Sequence, residues 1–154
     1  MDFLVNSEKE TENLGKQIGV QAKPGDIICL NGDLGCGKTY FTKGIALGLG
    51  IKDYITSPTF TIVNEYLGRL KLNHFDVYRV HDIEEIALLG FDEYIFSEAV
   101  TVIEWSNLIL ELLPKDTLEI DIKKEPQLGD NYRRIHINPS CGKYDYVTTL
   151  HTKL

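Results

Sequence analysis

The chain is short of the residues on which several protein classes depend. Its three cysteines, Cys29, Cys36 and Cys141, are odd in number and form no Cys-x-x-Cys pair. That excludes a disulfide framework and a cysteine-bound zinc site. The four histidines, at 74, 81, 136 and 151, lack metal-ligand spacing and read as surface or structural groups. No apolar run approaches the ~18 residues of a membrane span. No basic leader precedes an apolar segment at the N-terminus, so a cytoplasmic protein is expected. Repeats, low-complexity segments and interdomain linkers are all missing, and 154 residues suit one domain, 1–154. Positive charge is scarce too. Sixteen Lys and Arg face 23 Asp and Glu, and the net charge of −7 argues against independent binding of RNA. The basic pairs Lys123-Lys124 and Arg133-Arg134 read as solvated strand faces.

What is present centres on Asp26-Ile-Ile-Cys-Leu-Asn-Gly-Asp-Leu-Gly-Cys-Gly-Lys-Thr-Tyr-Phe41. An apolar strand, Asp26 to Leu30, leads into Gly-x-x-x-x-Gly-Lys-Thr and then into a helical pattern. Gly32, Gly35 and Gly37 let backbone N–H groups curl around an anion without Cβ clashes. Asp33, Leu34 and Cys36 supply intervening backbone donors, and Tyr40 follows in the first turn of the helix. That helix adds its partial positive charge. Lys38 is spaced to reach β- and γ-phosphates, and the Thr39 hydroxyl to ligate Mg²⁺. The stretch reads as a nucleoside triphosphate site, ATP or ADP with Mg²⁺.

The rest of the chain gives this loop its frame. Ser7-Glu-Lys-Glu10 is a capping box that starts a helix from about Glu8 to Val20, with Leu14 and Ile18 inward. After Lys38 the helix presents Phe41, Ile45 and Leu49 on one face, with Gly44 and Gly48 allowing approach to the sheet and Gly50 at its end. Asp53 to Phe60 is a loop held extended by Ser57-Pro58. Thr61 to Leu67 and Leu70 to Asp76 read as an antiparallel hairpin turning at Gly68. Asp82 starts another helix, which buries Ile86 and Leu89 and ends at Gly90; Phe91 to Phe96 is a short helical or irregular piece. Val100 to Ile103 is an apolar strand ending at Glu104-Trp105, and Ser106 caps a helix that Pro114 stops. Leu118 to Ile122 and Tyr132 to Asn138 alternate as strands with one wet face, joined by a turn over Gln127 to Asn131. The tail from Pro139 carries no signal. The expected architecture is α/β: a three-layer fold of the phosphate-loop NTPase kind with a mixed parallel and antiparallel sheet, its ligand at the carboxyl ends of the strands.

Turnover needs acids beside the phosphates. Glu104 ends an apolar strand, where the chain emerges next to the loop, and is the first candidate for Mg²⁺. Asp76 ends a weaker run and fits a metal ligand or a turn cap equally well. The two are compatible: one acid can hold Mg²⁺ while the other orients a water. Thr59, in Ser57-Pro-Thr59, is placed either to meet Mg²⁺ or the γ-phosphate or to make a simple turn. Trp105, the only tryptophan, is either core or a shield over the nucleotide.

Six segments in order carry a resemblance: Asn31-Gly-Asp-Leu-Gly-Cys-Gly-Lys-Thr39, Ser57-Pro-Thr-Phe-Thr61, Asn64-Glu-Tyr66, His74-Phe-Asp-Val-Tyr-Arg79, Gly90-Phe-Asp-Glu-Tyr94 and Val102-Ile-Glu-Trp105. Over roughly residues 7 to 140 the chain resembles the bacterial TsaE (YjeE) family. The resemblance implies a cytoplasmic, Mg²⁺-dependent ATPase of tRNA threonylcarbamoyladenosine biosynthesis. It implies work with TsaD-like and TsaB-like partners, which hold the tRNA, so that this chain meets tRNA only indirectly and no membrane. By position, Lys38 would hold the phosphates, Thr39 and Glu104 would ligate Mg²⁺, and Asp76 and Thr59 would support the metal and the hydrolytic water. Adenine would lie by Glu8 and Thr11 and just beyond Trp105, at Asn107.

One departure is Cys36, where the family commonly has alanine; its place beside a helix N-terminus predicts a lowered thiol pKa and a loop open to oxidation. Two other functions fit the loop. A small-molecule kinase usually needs an arginine-bearing lid, for which four arginines (69, 79, 133, 134) leave little material. A nucleotide-gated interaction module would bind without turnover. Arg79 is open to a role in the site, with a surface or salt-bridge role the favoured reading.

Overall fold

The computed structural model describes residues 1–153. Seven strands form one sheet: β1 (Asp2–Val5), β2 (Ile27–Asn31), β3 (Val63–Tyr66), β4 (Leu72–Asp76), β5 (Val100–Glu104), β6 (Leu118–Lys124) and β7 (Arg133–Pro139). Four α-helices join them: α1 (Glu8–Gln21), α2 (Lys38–Gly48), α3 (Ile83–Leu88) and α4 (Phe91–Ile95). The strand order is β1-β7-β6-β2-β5-β4-β3. The central four, β6, β2, β5 and β4, run parallel; β7 is antiparallel to β6, β1 to β7 and β3 to β4. The mixed sheet expected from the hairpin pattern is therefore present. The phosphate loop follows the second strand of the chain, not the first, because Asp2–Val5 adds an edge strand on β7 that its short, half-exposed sequence did not announce.

The two faces of the sheet bury different sets of side chains. Ile28 and Leu30 of β2 join Val100 and Val102 of β5 under α1 and α2. Ile27 and Cys29 face the other way and pack with Phe75, Ile103, Phe91 and Ile95 under α3 and α4. This double coverage is why β2 and β5 are apolar throughout. Each fully buried Ile, Leu or Phe contributes roughly 1.5–3 kcal/mol.

Helix α1 starts at the predicted cap: Ser7 Oγ accepts from the Glu10 N–H at 3.1 Å, while Glu10 reaches one residue past the cap, to the N–H of Asn6, in place of the Ser7 N–H of a full capping box. The glycines of α2 do not meet the sheet. A Cβ on Gly44 would lie 2.0 Å from the Glu12 carbonyl oxygen, and one on Gly48 2.3 Å from that of Lys16. Gly15 and Gly19 of α1 answer them: a Cβ on either would lie 2.2 Å from a carbonyl oxygen, that of Phe41 or Ile45 respectively. Four glycines at i, i+4 spacing thus let two helices touch backbone to backbone, and this contact sets α1 against the loop that precedes α2.

Other local expectations are revised by tertiary contacts. The hairpin strands are shorter than their sequence pattern. Pro58 carbonyl takes the Ile62 N–H at 2.8 Å, and Ile62 sits at φ 68°, so pairing begins at Val63. Leu89 is half-exposed rather than buried, since α3 ends one residue earlier. Residues 106–113 form two 3-10 turns, Ser106–Leu108 and Leu110–Leu112, instead of one capped helix. The Ser106 hydroxyl is spent elsewhere: it donates to Asn31 Oδ1 at 3.0 Å. The tail forms a 3-10 segment, Gly142–Thr149, anchored by the fully buried Tyr144. Tyr144 Oη accepts from Ile27 N at 3.0 Å and donates to Asp116 carbonyl at 3.0 Å. Among the described residues no helix is long and apolar enough to cross a membrane.

Candidate functional site

A cleft of about 490 Å³ opens at the carboxyl ends of the parallel strands. The chain leaves β2 toward β4 and β5, then crosses after β5 to β6 on the other side of β2. Such a reversal of strand order leaves a crevice. The loop between β2 and α2 forms its floor. Gly35 and Gly37 adopt φ of 73° and 116°, conformations open chiefly to glycine, and Gly37 hands the chain to α2. Gly32 is tight for another reason: a Cβ there would come within 2.5 Å of both Cys36 Sγ and the Ile122 carbonyl oxygen.

Lys38 is buried, and its ammonium donates to the carbonyls of Gly32 at 2.5 Å and Asp33 at 3.0 Å. It also lies 4.3 Å from the centre of the Trp105 indole. Trp105 itself holds φ 63° and stacks on Tyr78 with ring centres 4.6 Å apart. The strained backbone turns the indole over the floor of the cleft.

The acids converge. Asp76 and Glu104 are direct cross-strand partners at the ends of β4 and β5. Asp76 Oδ1 accepts from the Tyr78 N–H at 3.0 Å, and Oδ2 faces the hydroxyls of Ser57 at 3.4 Å and Thr59 at 3.5 Å. Burial pushes the Asp76 carboxyl above the usual range; the Tyr78 N–H opposes this and the neighbouring Glu104 charge adds to it. Glu104 Oε2 is met by His74 Nε2 at 3.1 Å, both side chains being buried. The sequence gives His74 only a surface or structural reading, and the structure buries it beside Glu104. Its signal was period two: it precedes Asp76 by two residues in one strand and so shares its face.

Of the residues singled out in the sequence, Glu8, Thr11, Leu34, Gly35, Cys36, Gly37, Lys38, Thr39, Tyr40, Thr59, Asp76, Glu104 and Trp105 line the cleft. Gly32 and Asp33 lie behind it and contribute carbonyls to Lys38. Asn107 stands apart: its N–H donates to Asn31 Oδ1, and its side chain is outside the cleft lining. Two arginines read as peripheral belong here. Arg79 lines the cleft with its guanidinium 4.5 Å from the Phe60 ring centre. Arg133 lines it too, and its Nε donates to the Cys36 carbonyl at 2.9 Å. Cys36 is also corrected. Its thiol is turned into the protein at 1% exposure, and burial raises its pKa more than Lys38 lowers it. A thiol so placed is not the reactive group the loop position predicted.

The donor set fits a hard divalent cation held jointly with phosphates. A hydroxyl, Thr39, and two neighbouring carboxylates face one space, and one of those carboxylates is held above its usual pKa partly by the other. Among the described residues no cluster of three or more His, Cys, Asp or Glu forms a self-sufficient metal cage. Mg²⁺ characteristically takes one or two carboxylates and leaves the remaining positions to phosphate and water.

The chain is similar to known proteins. The family described as threonylcarbamoyl adenosine biosynthesis protein TsaE matches residues 5–135. The chain is 48% identical over 144 residues to the tRNA threonylcarbamoyladenosine biosynthesis protein TsaE of Bacillus subtilis (strain 168), covering 93% of this chain and 87% of that one. It is 40% identical over 137 residues to the protein of the same name from Treponema pallidum (strain Nichols), covering 89% and 99%. The crystal structure of Bacillus subtilis YdiB matches with a TM-score of 0.82 at 40% identity, over 96% of this chain and 90% of that one. A match that runs from β1 into β7, joined to a solved structure of the same fold, establishes that this chain belongs to the TsaE family of tRNA threonylcarbamoyladenosine biosynthesis proteins.

Proposed function

We propose that this chain binds ATP with Mg²⁺ in the cleft, hydrolyses it, and serves tRNA threonylcarbamoyladenosine formation together with TsaD-like and TsaB-like proteins in the cytoplasm. The observation that carries the proposal is convergence: Lys38, Thr39, Thr59, Asp76 and Glu104 come from four separate segments and line one cleft. A loop that only bound nucleotide would not need two carboxylates opposite it.

The residues divide the work as follows. Loop N–H groups and the N-terminus of α2 receive the phosphates. Lys38 places its ammonium on the β- and γ-phosphate oxygens in exchange for the loop carbonyls. Thr39 Oγ1 and Glu104 are the groups that would hold Mg²⁺, with Asp76 beside them. The ion, when bound, neutralises charge on the transferred phosphoryl group. Asp76 Oδ2, with its raised pKa, is suited to accept a proton from water aligned by the Ser57 and Thr59 hydroxyls. That water oxygen bonds to the γ-phosphorus as the bond to the β–γ bridging oxygen breaks. Glu8 and Tyr40 stand at the mouth beside Thr11, where the base of the nucleotide would rest. The acidic surface suits a subunit whose partners hold the tRNA. Hydrolysis, on this reading, resets the transferase complex between turnovers and does not supply the acyl-transfer chemistry.

The test is phosphate release from ATP with and without the two partners, for the wild type and Lys38→Ala. Partner-stimulated release that Lys38→Ala abolishes supports the proposal. Tight binding with no release under any condition makes the protein a nucleotide-gated interaction module instead, and phosphate transfer to a metabolite makes it a kinase. Full multiple-turnover tRNA modification by Glu104→Ala protein that binds ATP without hydrolysing it would sink the resetting role.

A further inference from the structure

His74 is fully buried and is not part of the cleft wall. Among the described residues its one polar contact is Nε2 to Glu104 Oε2 at 3.1 Å, and its buried Nδ1 has no partner there. The pairing defines the tautomer. A bare lone pair at Nδ1 is tolerated better than an orphaned N–H, and a carboxylate oxygen accepts. The ring proton therefore belongs on Nε2, which donates to the Glu104 carboxylate.

The strand register explains the direction of the contact. Asp76 is opposite Glu104, and His74 is opposite Val102, one same-face position further from the cleft. The imidazole thus meets Glu104 from behind, on the side away from the phosphate loop. Oε2 is fixed there, while Oε1 makes no hydrogen bond among the described residues. Glu104 has three side-chain rotors whose freedom would otherwise scatter the carboxylate over several positions. A buried polar histidine with an unpartnered nitrogen costs stability. An apolar residue would serve the core better, so packing does not explain the choice.

We propose that His74 is a positioning residue: its Nε2–H holds Glu104 Oε2 so that Oε1 is presented to the divalent cation of the nucleotide complex. This rests on the nucleotide reading above. It makes His74 act through Glu104 alone, so its effect must appear in the cation dependence and not in the affinity of the loop for phosphate. Outer partners of ligating groups typically change metal affinity or activity about 10–100-fold.

The experiment compares wild type with His74→Met and His74→Gln. Calorimetric titration measures binding of ATP with and without Mg²⁺, and of Mg²⁺ to the ATP-loaded protein. His74→Met fills the space without a donor and is expected to weaken Mg²⁺ binding about 10–100-fold while Mg²⁺-free ATP binding stays at the wild-type value. His74→Gln, which can extend an N–H to Oε2, is expected to recover most of that loss. Wild-type Mg²⁺ affinity in His74→Met overturns the assignment, as does an equal fall of Mg²⁺-free binding in His74→Met and His74→Gln, which would mark a structural role. A wild type that binds ATP no better with Mg²⁺ than without overturns the assignment, and one that binds no ATP under either condition overturns the nucleotide reading itself.

Discussion

The ammonium of Lys38 lies 4.3 Å from the centre of the Trp105 indole while donating to the carbonyls of Gly32 and Asp33. Phosphate oxygens of the proposed nucleotide would compete for the same ammonium, and its binding would alter what the indole faces. Trp105 is the only tryptophan. Its emission is expected to change on adding ATP, and the change is expected to vanish in Trp105→Phe. Lys38→Ala should bind ATP at least about 10-fold more weakly, equivalent to ~1.4 kcal/mol. Fluorescence titration of the three proteins checks this, and an unchanged wild-type emission at saturating ATP counts against it.

Arg133 ties the β6–β7 hairpin to the loop through Nε to Cys36 carbonyl at 2.9 Å and through Nη1 to the carbonyls of Asp130 and Tyr132 at 2.7 and 2.9 Å. A hydrogen bond from a charged donor is worth about 1.5–3 kcal/mol. Arg133→Ala should therefore lower ATP affinity about 10-fold or more. Arg133→Lys should recover little, because an ammonium cannot reproduce the planar fork. Calorimetry on the two variants decides the point.

The crossing of α1 and α2 predicts an unusual response to alanine. In an exposed helix, Gly→Ala stabilises by about 0.5–1 kcal/mol. Gly44→Ala should instead destabilise by at least about 2 kcal/mol, since its methyl would meet backbone that has no rotamer to yield. Urea unfolding of Gly44→Ala and Gly48→Ala measures it. Wild-type midpoints would show that the helices can separate.

Thiol chemistry should follow burial and not sequence position. Cys29 and Cys36 are buried and their pKa values are raised, Cys29 to about 11; Cys141 is half-buried. One thiol, Cys141, is expected to react with a maleimide at pH 8 in the native protein, and all three in denaturant. Prompt native labelling of Cys36, read by mass spectrometry of its peptide, would contradict the inward thiol.

The same shift gives an alkaline limit to stability. Burial raises Cys29 from 9.0 to about 11 and raises the hydroxyls of Tyr144 and Tyr146 as well. An acid whose folded pKa exceeds its unfolded value leaves stability intact below the unfolded pKa and removes it as pH climbs toward the folded one. The contribution from Cys29 is full below pH 9.0 and lost progressively toward pH 11, on the order of 3 kcal/mol at the top of that window. Denaturant midpoints are expected to fall over this range, and Cys29→Ala should flatten part of the fall.

Local residues were enough to place the loop, both flanking elements and most of the sheet. Glycine, proline and capping signals act within a few positions, and apolar runs report coverage on both faces. Strand β1 escaped notice because an edge strand half in water has no such run. The 3-10 turns after β5 escaped because Ser106 met Asn31, 75 positions away, in place of its own helix N-terminus. Gly44 and Gly48 were recognised as sites of close approach, but their partner was α1, a choice made by helix packing.

By itself, the sequence determined that a phosphate-cradling loop joins a buried strand to a helix, because backbone freedom at Gly35 and Gly37 and the placement of Lys38 and Thr39 are properties of one short stretch. It also carried the family pattern. Only the tertiary structure decided how the distant groups serve that stretch. It set Asp76 opposite Glu104, brought Arg133 onto the loop, turned the Cys36 thiol inward and placed His74 behind the carboxylate. Those relations depend on strand order and register, which bring residues tens of positions apart within hydrogen-bonding distance and which no local spacing encodes.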